Sequence, residues 1–258
     1  MKKVLSALIV AGALFGAVQA SNAVTFASFD LDTTLPGVTP NPSFHFNNGT
    51  GVLNLITSPS PFTFSFATAA TAFGLPASEV GLYSNVNLVF STTTNGPGTD
   101  FGNVNQPMTN LTFSFVTTQT EHGVAAGTVL LSGTANAAVP GSQGVVLQGA
   151  DSGPLPGTAS LLAQENPVLL STVTFNSGIG SLNAGLTTAF NRQIAVSYTS
   201  VSPHFSIPGI FGSPDSFTAQ GNGTFAAESA AVPEPGALTA LLGIAVSVTA
   251  LFVRKRMA

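Results

Sequence analysis

Side chains able to do chemistry are few in this chain and widely spaced. Of its 10 acids, Glu234 lies close to the C-terminus, and the other nine are Asp30, Asp32, Glu79, Asp100, Glu121, Asp151, Glu165, Asp215 and Glu228. Asp30 and Asp32 are two apart, so on a strand both carboxylates share a face and could present oxygens to calcium. A calcium site needs several more oxygens, and no Asp/Asn-rich loop with Gly lies nearby. His45, His122 and His204 are isolated, without the i, i+4 pairing of a helical metal site. His122 follows Glu121 directly, a spacing that on a strand sends the two side chains to opposite faces. Serine is plentiful, but no Gly-x-Ser-x-Gly elbow holds one as a nucleophile.

Two carboxylates would suffice for glycoside hydrolysis. Sugar-handling clefts, however, are usually lined with Trp and Tyr, and this chain has no Trp and only Tyr83 and Tyr198. The 20 Phe residues read as core. Gly96-Pro97-Gly98 is a turn and not a phosphate cradle. The absence of cysteine excludes thiolate zinc sites, thiol nucleophiles and disulfides. The sequence thus predicts no catalytic, cofactor-binding or metal-ligating residue and no cofactor.

The elements that would position these groups are strands. Phe62-Thr63-Phe64-Ser65-Phe66 alternates strictly, three rings on one face and hydroxyls on the other, and 111–117 repeats the pattern. Further predicted strands cover 24–29, 44–46, 51–56, 86–90, 128–132, 145–148, 168–175, 192–201 and 217–226, separated by Gly, Pro and Asn clusters. Residues 68–73 and 159–164 are predicted as short helical turns. Alternation of this kind marks sheets wet on one face, so the expected fold is all-β, an antiparallel β-sandwich or jelly roll spanning 21–231. The 6% charged and 44% apolar composition is that of a folded domain and not a disordered one.

Charge is unevenly placed. Lys2 and Lys3 open the chain, Arg254, Lys255 and Arg256 lie near its end, and Arg192 is the one base between. Such a body cannot neutralise a phosphate backbone, which excludes nucleic acid as a partner, and it has little to offer an anionic lipid surface. Lys2-Lys3 and the apolar run to Ala17, followed by Val18-Gln19-Ala20, form a secretory signal peptide over residues 1–20 with cleavage after Ala20, or alternatively after Ala23.

The far end has a second export feature. Val232, Pro233, Glu234 and Pro235 precede an apolar run over 237–253, and Arg254, Lys255 and Arg256 stop it. As a helix that run is ~25 Å long, at the short end of what spans a bilayer. The basic stop puts its end in the cytoplasm and the two prolines outside. By physics alone this is a single-pass anchor or a processing site.

In order, spacing and position the segment 232–258 resembles the PEP-CTERM sorting signal of Gram-negative bacteria. Residues 217–226, with Gly221-Asn222-Gly223-Thr224-Phe225, resemble the last strand that often precedes that signal. The resemblance implies recognition by an exosortase, removal of the helix, and transfer of the body from the inner membrane to the cell surface or extracellular matrix. The processing partners would be signal peptidase and exosortase, with exopolysaccharide as the surrounding material. A structural or matrix protein without catalytic activity is the first expectation. A surface adhesin or polysaccharide-binding module is the second, and a secreted hydrolase a remote third.

Overall fold

Alternating Phe and Thr/Ser becomes antiparallel pairing throughout the computed structural model, which describes residues 23–31, 44–55, 62–152 and 155–229. Ala20, Asp32, the motif Val232, Pro233, Glu234 and Pro235, the apolar run and the stop Arg254, Lys255 and Arg256 all lie outside those residues. The strands are β1 (Val24–Leu31), β2 (Phe44–Asn47), β3 (Val52–Leu55), β4 (Phe62–Phe66), β5 (Gly81–Thr94), β6 (Gly98–Asp100) and β7 (Asn103–Thr117). They continue as β8 (Val129–Ala137), β9 (Val145–Ala150), β10 (Gly157–Gln164), β11 (Ser171–Asn176), β12 (Phe190–Ser202), β13 (Phe211–Gly212) and β14 (Phe217–Glu228). One α-helix, α1 (Gly180–Thr188), and 3₁₀ turns at Thr68–Phe73 and Ala77–Glu79 interrupt them. The described residues are mostly antiparallel sheet, all-β as the sequence predicts for them. No helix among the described residues is long and apolar enough to cross a membrane.

The strands form one 14-stranded sheet whose pairings return to their start. β1 pairs with β4, β4 with β5, β5 with β7, and β7 with β9. β9 pairs with β10, β10 with β12, β12 with β14, and β14 with β1 again. β2 and β3 run beside the circuit, joining the start of β14 to the second half of β5. β8 and β11 branch from β7, and β6 with β13 extend its other end.

One hydrophobic cluster fills the interior. At its centre Phe225 stacks on Phe113 at 4.9 Å and meets Phe115 edge-on at 5.6 Å, with Phe29 and Phe175 each at 6.0 Å. These rings come from β14, β7, β1 and β11, so the cluster ties strands far apart in sequence. Burying each ring contributes ~1.5–3 kcal/mol, and tilted or edge-to-face contacts suit the ring quadrupoles. Gly223 makes room for this packing: a Cβ there would lie 2.5 Å from the Phe29 ring and 2.7 Å from the Ala195 carbonyl.

One local prediction needs correction, and one helix forms where none is predicted. Residues 159–164, rich in the helix formers Ala, Leu and Gln, are strand and not helix. They belong to β10, held between β9 and β12, with Ala159, Leu161 and Ala163 buried on one face. Sheet pairing on both edges overrides the local propensity. Conversely, Gly180–Thr188 is helical despite two glycines. Leu182 and Leu186, one turn apart, are buried, and the Ser177 N–H donates to Asn183 Oδ1 (2.9 Å) just before the helix. Arg192 secures its other end, Nη2 donating to the carbonyls of Leu186 (3.1 Å) and Thr187 (3.4 Å). A cation on the last helical carbonyls is favourable. Nη1 of the same side chain pairs with Glu165 at 3.2 Å.

Candidate functional site

The carboxylates and histidines singled out by sequence serve loops and strand ends. Asp30 Oδ1 accepts from the Leu31 N–H at 2.8 Å. His45 sits within β2, opposite Asn54 and Thr218. Glu121 and His122 do not point to opposite faces of a strand. Glu121 bridges to Val124 in a tight turn, and His122 takes a positive φ of 50°. Both therefore reach the edge of β5: Glu121 Oε2 accepts from the Ser84 N–H (2.7 Å), and His122 Nε2 meets the Leu82 carbonyl at 2.9 Å.

His204 Nε2 lies 2.9 Å from Asp215 Oδ2, and Ser206 Oγ reaches the same carboxylate oxygen at 3.4 Å. The hydroxyl touches the acid and not the imidazole, so the order of a nucleophile–base–acid relay is not met. The three residues staple the segment after β12 to the one before β14. Among the described residues no three His, Cys, Asp or Glu side chains converge as a metal site would require.

Both tyrosines are buried. Tyr83 donates to the Glu79 carbonyl at 2.8 Å and meets the His122 ring edge-on at 5.0 Å. Burial and the nearby carboxylates of Glu79 and Glu121 push its pKa up to about 12. Burial also raises the pKa of Tyr198, whose hydroxyl finds no hydrogen-bond partner among the described residues.

The surface best shaped to meet another molecule is elsewhere. An open depression of about 410 Å³ lies across β7, β9 and β10, lined by Asn103, Val104, Asn105, Gln148, Gly149, Ala150 and Ser160. Ala150 and Ser160 carry short side chains beside the three amides, and Gly149 contributes only backbone, since a Cβ there would point inward, 3.0 Å from the buried Phe205 ring. Register lines these groups up: Asn105 is opposite Gln148, Gln148 opposite Ser160, Ser160 opposite Ser197, and Ser197 opposite Asn222. The result is a row of amides and hydroxyls across five neighbouring strands, ~19 Å long at the usual strand spacing. None of the residues lining the depression is ionisable.

Two residues before Asn103 the chain forms an apolar tip. Phe101, in the turn between β6 and β7, is 74% exposed, and Phe211 on β13 is 66% exposed. Their rings meet edge-to-face at 6.1 Å. The turn is fixed by Asp100 Oδ1, which accepts from the Gly102 N–H (2.9 Å), and β13 is held against β6 by the Phe211–Thr99 pairing. Every other described phenylalanine except Phe190 is buried, so the assignment of phenylalanine to the core fails at this tip. The amide run Asn103-Val104-Asn105 is visible in sequence, but its alignment with Gln148 and Ser160 depends on a strand register that spacing alone does not give. Such a surface can form hydrogen bonds and stack; it holds no arranged nucleophile or acid–base pair. Comparison with family descriptions, with curated proteins and with solved structures finds no match.

Proposed function

We propose that this chain is an exported, surface-sorted structural or extracellular-matrix protein, released from a transient inner-membrane state by an exosortase. The observation that carries this reading is the order Val232, Pro233, Glu234, Pro235, then the apolar run 237–253, then Arg254, Lys255 and Arg256. An apolar helix with a cytoplasmic basic stop holds the chain in the membrane. The two prolines keep the preceding segment extended, where an enzyme on the outer side can grip it. The N-terminal 1–20 segment, cut after Ala20, supplies the export step.

The body is the cargo. We read its closed strand circuit as a sandwich pressed from one continuous sheet, jelly-roll-like, and non-catalytic. Support for a matrix role comes from the hydroxyl- and amide-rich outer faces of its strands, with few charged side chains and no cysteine, a composition suited to neutral polymer surroundings. The second reading, a polysaccharide-binding module, is favoured by the amide-lined depression.

Deleting Pro233–Glu234–Pro235 tests the sorting step. The deleted chain is expected to fractionate with the inner membrane while the intact chain reaches the surface. Equal surface display of both would refute it.

A further inference from the structure

We propose that the depression on β7, β9 and β10, with the polar row that continues across β12 and β14, binds an uncharged polyhydroxylated chain, a neutral glycan segment. The inference rests on the matrix reading above for the protein's location, and on the surface itself for the ligand's chemistry.

The first observation is that the row is unspent. The carboxamides of Asn103, Gln148 and Asn222 and the hydroxyls of Ser160 and Ser197 have no hydrogen-bond partner among the described residues, and Asn105 uses only Nδ2, on the Asn103 carbonyl at 3.3 Å. The neighbouring Gln106 instead faces inward, where its Nε2 donates to the carbonyls of Gly96 (2.9 Å) and Pro107 (2.8 Å), although its Oε1 finds no partner among the described residues. Each free carboxamide offers donors and an acceptor side by side, which suits hydroxyl groups that also do both.

The second observation is charge. No ionisable group lines the depression, and Arg192, the single base in the body, is engaged with Glu165 and the end of α1. An acidic polymer would lose its hydration here and gain no cation in return, so neutrality selects against it. The third is the tip formed by Phe101 and Phe211, which adds exposed apolar ring surface next to the start of β7, the strand that carries Asn103 and Asn105. Sugars have the matching combination of polar edges and apolar C–H faces. A row of ~19 Å fits a short run of linked sugars better than a single one.

The test is affinity electrophoresis of the full chain in mild detergent, through native gels containing dextran, galactomannan or the acidic polymer alginate. Retardation is expected in at least one neutral gel and to a lesser degree, or not at all, in alginate. Asn105→Ala combined with Gln148→Ala should weaken the apparent affinity at least about tenfold, two lost hydrogen bonds' worth. Gln148→Glu, nearly the same size but charged, should weaken it too, and covers the case where the double variant folds poorly. Thr172→Ala on β11 should change nothing. No retardation in either neutral gel, equal or stronger retardation in alginate, or full retention by both depression variants would each overturn the inference. Localisation is read separately: a surface-displayed chain that binds no glycan refutes only the ligand, and a binding chain left in the inner membrane refutes only the sorting.

Discussion

Phe225 and Phe101 are the same residue in opposite circumstances, and so are Gln106 and Gln148. Phe225 is buried against rings from β7, β1 and β11, whereas Phe101 is held out on a turn with a single aromatic neighbour. Gln106 and Gln148 lie in paired strands, Gln106 opposite Leu147 and the adjacent Asn105 opposite Gln148. One glutamine faces in, fully buried, with its Nε2 bonded to backbone carbonyls; the other faces out with no partner among the described residues. Period-two geometry produces both outcomes from similar sequence. The interior carries the stability, and the outward row across β7, β9, β10, β12 and β14 is the surface proposed above for glycan binding.

The comparison breaks most visibly at the rings. Phe225→Ala should cost about 3–5 kcal/mol, read as a fall in the urea midpoint. Phe101→Ala should stay within about 0.5 kcal/mol of the parent. Equal losses would mean that the tip is structural and that the contrast between the two regions fails.

A smaller effect concerns the tyrosines of the interior, and the chain favours its measurement because Tyr83 and Tyr198 are its only tyrosines and there is no tryptophan. Both folded-state pKa values are raised, that of Tyr83 to about 12. The folded chain therefore keeps protons that the unfolded chain releases near pH 10, where tyrosine ordinarily titrates. Their contribution to stability is complete below about pH 10 and declines as pH rises from there. Phenolate absorbance is expected to appear together with loss of the sheet signal in circular dichroism. Phenolate forming near pH 10 in an intact sheet would show the interior to be wetter than described.

How much of this was legible beforehand depended on what each residue reveals locally. The Phe-Thr-Phe-Ser-Phe run of β4 and the alternation in 111–117 state their face and partner type outright, and both are strands with their rings buried. β7 begins eight residues earlier than 111, at Asn103, because the amide run before it pairs with β9 despite Pro107, a residue that cannot donate in a ladder. β10 was hidden by its helix formers, and α1 by its two glycines, since in both cases distant partners decide the state. Asn105, Gln148 and Ser160 carry no motif, and only register makes them neighbours. The exposed Phe101 and Phe211 could not be separated from core phenylalanines by type. The converse holds for the proposed sorting segment, whose reading rests on local order alone and needs no tertiary contact.

The export account is tested most directly by the intact mass of the protein recovered from the surface of its host. The predicted species lacks residues 1–20 and also lacks the apolar run 237–253 with Arg254, Lys255 and Arg256. A surface-located chain whose mass still includes residues 237–258 would contradict it.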